Sequence, residues 1–85
     1  MGLSGGAWET LRQRVLARDM GCCYLCDNLG ADQVDHLVEV ADGGTNHLTN
    51  LASCHAPCHE RKHRDPEWAK ERVERALAVL GGRAA

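Results

Sequence analysis

Cys54-His55-Ala56-Pro57-Cys58-His59-Glu60-Arg61-Lys62-His63 is the stretch whose reading decides the fold. Pro57 suits the first turn of a helix, where its missing N–H costs nothing, so a helix is expected from about Pro57 to Arg64. That helix sets His59 and His63 one turn apart on one face. Cys58, with either Cys54 or His55, makes half of a tetrahedral zinc site. The other half lies upstream in Cys23-Tyr24-Leu25-Cys26, two thiols at the spacing of a zinc knuckle. Zinc takes only part of the second cluster. The histidines left over point to an enzyme.

The partner of Cys58 is open on sequence alone. His55 leaves two residues between the ligands, the usual knuckle spacing, and Cys54 leaves three. In Leu48-Thr49-Asn50-Leu51-Ala52-Ser53-Cys54 the last residue can face a core as a small apolar side chain. Softness argues for Cys54, because thiolates bind zinc more strongly than imidazole does. The set read here is Cys23, Cys26, His55 and Cys58, with Cys54 as the alternative to His55. Cys22 is a spare thiol in either case.

Working outward, an 85-residue chain without Phe has a small core and needs a staple. Its five cysteines fit metal better than a disulfide framework. No apolar run approaches the ~20 residues of a membrane span, and Met1–Gly6 has no signal-peptide character. The expectation is an intracellular, reduced, zinc-stapled domain with no membrane partner. One domain is expected over residues 8–80, between a flexible lead (1–7) and a frayed tail (81–85). Net charge is −2, which predicts weak non-specific affinity for nucleic acid. Basic residues nevertheless cluster at Arg61, Lys62 and Arg64, and again at Arg12, Arg14 and Arg18.

The remaining elements follow from pattern. Trp8 to Arg18 reads as an amphipathic helix through Trp8, Leu11, Val15 and Leu16. Gln33 to Val40 is rich in β-branched residues and reads as a strand. Ala41–Asn46 is a glycine-bearing loop, and His47 to Ala52 a second strand, which makes a hairpin. Asp65 caps a last helix, Glu67 to Leu80, with Trp68, Val73, Ala76, Leu77 and Leu80 inward. The fold class is small α+β: a hairpin plus a short helix, a structural zinc site, and flanking N- and C-terminal helices.

His59-Glu60-Arg61-Lys62-His63 also spells H-E-x-x-H, the helix of zinc metalloproteases. That reading ranks low, because so short a chain has little room for a third ligand and a substrate cleft.

The ordered set Cys23-x-x-Cys26, Val34-Asp35-His36-Leu37-Val38, Gly43-Gly44, Asn50-Leu51, Cys58-His59 and Lys62 resembles the HNH endonucleases of the ββα-metal superfamily. Arg18-Asp19-x-Gly21 ahead of the knuckle resembles them too. The likeness runs from about Trp8 to His63. The three residues of the family name would be His36, Asn50 and His59. The resemblance implies a metal-dependent DNA endonuclease that hydrolyses phosphodiester bonds, with zinc in the scaffold and Mg²⁺, Mn²⁺ or Ni²⁺ at the catalytic site. Members of this size resemble those of bacteriophages and prophages. That implies the bacterial host cytoplasm, DNA as substrate, and phage terminase or another packaging protein as partner.

The chemistry suits the residue types. His36, with an unperturbed pKa of about 6.5, can take a proton from the attacking water. Asp35, His59 and His63 are the expected ligands of the catalytic cation. Asn50 is expected to tie the loop by backbone hydrogen bonds. Arg61, Lys62 and Arg64 are expected on phosphates flanking the cut. The alternative is a zinc module without activity that binds nucleic acid or a packaging protein.

Overall fold

The computed structural model describes residues 5–84. Helix α1 (Gly5–Arg18) leads through the knuckle to strand β1 (Gln33–His36). Two single 3₁₀ turns, Val40–Asp42 and Leu48–Asn50, precede strand β2 (Leu51–Cys54). Helices α2 (Ala56–Arg64) and α3 (Pro66–Ala84) complete the chain. The strands pair antiparallel, with Gln33 opposite Cys54 and His36 opposite Leu51. This is a small α+β fold, a two-stranded hairpin with flanking helices and a Cys/His cluster that fits a zinc site, consistent with the ββα-metal arrangement. Residues 1–4 of the expected lead and Ala85 lie outside the described residues.

Both strands differ from the reading of the sequence, and for one reason. Beyond His36 the chain stays beside its neighbour, and Leu37 N–H donates to the Asn50 carbonyl at 2.8 Å. At Val38, however, the Asn50 side chain replaces the backbone of a partner strand. Its Oδ1 accepts from Val38 N–H (2.8 Å), and its Nδ2 donates to the carbonyls of Val38 (3.0 Å) and Thr45 (2.9 Å). The ladder therefore stops, and β1 ends at His36 instead of Val40. Leu48–Asn50 curls into its turn, and β2 runs over Leu51–Cys54 instead of 47–52.

All four residues of β2 are buried, so no inside-outside alternation could mark this strand. Ala52 and Cys54 pack toward α3, against Leu80 and Ala69 respectively. Ser53 lies toward α1, where its hydroxyl donates to the Val15 carbonyl (3.4 Å). Arg18 fixes that side: it pairs with Asp19 and donates to the carbonyls of Leu48 (2.7 Å) and Leu51 (2.6 Å). Asp19 in turn accepts from Ser53 N–H at 2.9 Å. Burial alone would raise the Asp19 pKa, but Arg18 and Ser53 hold it below the usual carboxylate value of 3.8.

Gly44 sits so close to the strand end that a Cβ would stand 1.8 Å from the Val38 carbonyl oxygen. Only glycine fits that approach. Helix α1 begins at Gly5, ahead of Trp8, and α3 continues past Leu80 to Ala84. Asp65 Oδ1 accepts from Trp68 N–H (3.3 Å), the cap expected at the start of α3.

Candidate metal centre and active site

The knuckle between α1 and β1 faces the start of α2. Cys23, Cys26, His55 and Cys58 bring their donor atoms within 4.8 Å of one another, the one such group among the described residues. The tight knuckle turn depends on Asp27, whose φ is +65°. His55 occupies the N-cap of α2. Its Nε2–H donates to the Leu29 carbonyl (2.8 Å), which leaves Nδ1 toward Cys26 Sγ at 3.3 Å. A carbonyl on the far ring nitrogen is the usual way a ligating imidazole is oriented. Cys54 lies outside the group. It ends β2, is fully buried in the core, and its thiol is pushed up to about 12 by burial and by nearby Asp35 and Cys23.

Burial raises both Cys26 and Cys58. For Cys58, hydrogen bonds and charge from Cys26 and Cys23 add to that rise and take it to about 12. For Cys26, hydrogen bonds from Asn28 N–H, Cys23, His55 and Cys58 outweigh burial and bring it to about 7. His55 is raised by its bond to the Leu29 carbonyl and by the Cys26 thiol. A thiol inclined to ionise beside other thiols is electrostatically suited to a soft cation. The cluster is compatible with zinc.

A second group of oxygen and nitrogen donors lies further along α2. Asp35, only 3% exposed, points from β1 to the helix. Its Oδ1 lies 3.2 Å from His59 Nε2. His59 Nε2 is 3.2 Å from His63 Nε2, with the two rings edge to face. Carboxylate and imidazole together suit Mg²⁺, Mn²⁺ or Ni²⁺. Asp35 and His59 stand about as far apart as neighbouring ligands on an octahedral ion with bonds of about 2.1 Å, so the residues fit such a cation.

His36 takes the opposite side of β1, as alternation along a strand requires. Its ring stacks on Trp8 of α1, with centroids 6.0 Å apart and 8° between planes. Its Nε2–H donates to Asn46 Oδ1 at 2.7 Å. No hydrogen bond or ring contact joins the His36 side chain to Asp35, His59 or His63 among the described residues. What links the two sides is Lys62. Its ammonium donates to Asp35 Oδ2 (2.8 Å), the His36 carbonyl (3.0 Å) and Glu39 Oε1 (3.1 Å).

The three donors of Lys62 are all taken inside the protein, so the side chain ties β1 to α2. Arg61 lies over the Trp68 ring, 4.1 Å from its centroid, and remains exposed, as does Arg64. Asn50 binds backbone across the loop, at Val38 and Thr45.

Trp8, Tyr24 and Asn46 make contacts that the sequence reading did not anticipate, Trp8 being read as an apolar helix position and the other two lying within the knuckle and the loop. Tyr24 OH donates to Asp35 Oδ2 at 2.5 Å. Burial first, and then the Asp35 charge, push its phenol well above the usual tyrosine value. The one available signal was an aromatic with a polar tip inside a metal knuckle.

The family model described as HNH endonuclease matches residues 23–65, half of the chain. No curated protein and no solved structure matches it. The match takes in the knuckle, β1, β2 and α2, and leaves out Trp8.

Proposed function

The chain belongs to the HNH endonuclease family, and on that premise we propose that it is a metal-dependent DNA endonuclease. The observation that carries the reading is the Asp35–His59 pair, 3.2 Å apart, supplied by strand and helix. In this reading Asp35 and His59 hold a divalent cation, Mg²⁺, Mn²⁺ or Ni²⁺, with His63 as a further ligand. When bound, the cation stabilises the charge that develops on the scissile phosphate and the leaving 3′ oxygen.

His36 is the general base. Because Asn46 accepts from Nε2–H, Nδ1 is the nitrogen with a free lone pair. It takes a proton from the water that attacks phosphorus. The P–O3′ bond then breaks, and solvent water protonates the leaving oxygen to a hydroxyl. The Trp8 ring restricts rotation of the imidazole, so the lone pair keeps one direction. Asn50 holds the loop that carries Asn46, and Arg61 and Arg64 contact flanking phosphates. Cys23, Cys26, His55 and Cys58 hold structural zinc.

The setting we propose is phage DNA packaging, with a terminase or another packaging protein delivering the DNA. A net charge of −2 supports that division of labour, since weak electrostatic attraction leaves capture of DNA to a partner. No helix among the described residues is long and apolar enough to cross a membrane.

The test is cleavage of supercoiled plasmid by zinc-retaining protein stripped of other metals, with Mg²⁺, Mn²⁺ and Ni²⁺ added separately. We expect nicked or linear product that EDTA stops. His36→Ala should cut about 10²–10⁴-fold more slowly with an unchanged melting curve. Full activity in His36→Ala would remove the general base. No cleavage by folded protein with any metal would favour a binding module.

A further inference from the structure

We propose that Tyr24, inside the zinc knuckle, is a positioning residue for Asp35: its phenol holds Oδ2 and leaves Oδ1 as the oxygen offered to the catalytic cation. The inference rests on Asp35 being a ligand of that cation. It adds that the scaffold metal site and the catalytic site are joined through one hydrogen bond.

The geometry divides the carboxylate cleanly. Oδ2 accepts from Tyr24 OH (2.5 Å) and Lys62 Nζ (2.8 Å), whereas Oδ1 faces His59 Nε2 (3.2 Å). A carboxylate free on both sides can turn and bind an ion through either oxygen or both. Two donors on one oxygen remove that freedom. Lys62 alone is a poor clamp, because its ammonium is shared with Glu39 and the His36 carbonyl. Tyr24 directs its single O–H to Asp35, and as a neutral donor it leaves the charge of the carboxylate in place.

The phenol is itself held from three directions. Its residue lies between Cys23 and Cys26, its backbone N–H donates to the Ser53 carbonyl (3.0 Å), and its ring packs against both core clusters. Zinc bound by the knuckle therefore sets where the hydroxyl stands. The hydroxyl in turn sets the plane of Asp35.

The experiment compares the parent, Tyr24→Phe and Asp35→Asn in three readouts: zinc content, melting curve, and affinity for Mn²⁺ from the free ion seen by electron paramagnetic resonance. Tyr24→Phe should keep its zinc and its melting curve and bind Mn²⁺ about 10-fold more weakly, at the lower end for loss of a ligand's hydrogen-bond partner. Asp35→Asn should lose the Mn²⁺ site. If Asp35→Asn loses it and Tyr24→Phe binds like the parent, the positioning role is overturned and the nuclease reading stands. If Asp35→Asn binds like the parent, both fall.

A second measurement needs no variant. Tyr24 is the one tyrosine in the chain, so the tyrosine Raman doublet reports its hydrogen bond alone. On saturation with Mg²⁺ the strong-donor signature should persist. Its loss would mean that the cation takes both oxygens, and would overturn the proposal even if Tyr24→Phe failed to fold.

Discussion

The two clusters that draw on α2 use one short helix for opposite purposes. At its start, His55 and Cys58 meet the knuckle thiols in a set drawn within 4.8 Å, each donor turned inward. One turn on, His59 meets a single carboxylate and the His63 ring, and keeps a third of its side chain exposed. The first group is closed and sulfur-rich, which suits a resident soft cation. The second is open on one side and made of oxygen and nitrogen, which suits a harder ion that must also meet a substrate. Proximity to zinc does not make a helix a zinc enzyme. What matters is which donors face each other.

The largest break in that contrast should come from the closed group. Cys23→Ser, or removal of zinc by a strong chelator, should abolish cooperative unfolding, since structural zinc contributes about 10–16 kcal/mol in small peptides. Circular dichroism with zinc analysis checks this, and an unchanged melt at full zinc content would contradict it. Within the same group, His55→Ala should release zinc while Cys54→Ala keeps it.

A smaller effect is expected from the loop between the clusters. Asn50→Ala leaves Val38 N–H and two carbonyls without their partner, a cost of about 1–3 kcal/mol. Denaturant melts should show that loss with zinc still bound. Plasmid cleavage should fall further than stability does, because the loop also carries Asn46. Equal activity in the folded variant would separate the loop from the chemistry.

Acid should weaken the side of β2 that faces α1. The folded-state pKa of Asp19 lies below its usual 3.8. Its stabilising contribution is therefore complete above about pH 4 and disappears as pH falls through the lowered value. Asp19→Asn should flatten that part of the dependence of melting temperature on pH. A parent-like acid limb in the variant would assign acid sensitivity elsewhere.

The smallest change is expected from Glu60→Gln. Glu60 is exposed on α2, so cleavage and stability should stay within about ±0.5 kcal/mol of the parent. Loss of a proteolytic activity in this variant would instead revive the H-E-x-x-H reading.

Much of the fold was legible because its signals are local. Pro57 marks the first turn of α2, Asp65-Pro66 separates α2 from α3, and Cys23-x-x-Cys26 announces a knuckle whatever surrounds it. The hairpin was legible as a pair but not in its register. Its ends depend on Asn50, whose amide takes the bonds a neighbouring strand would have made. Periodicity could not mark β2, buried on both faces.

By itself the sequence determined which residue types are available for metal chemistry, roughly where the helices lie, and that Cys58 is followed at once by a histidine. Spacing left Cys54 and His55 open as partners of Cys58. Tertiary structure put His55 with the thiols, because the register of β2 turns Cys54 into the core against Ala69. It also turned Lys62 inward, laid Trp8 on His36, and brought the Tyr24 hydroxyl to Asp35. Each of these contacts joins residues from different elements. Local pattern states how a side chain leaves its own helix or strand, and only the packing of one element on another decides what it meets.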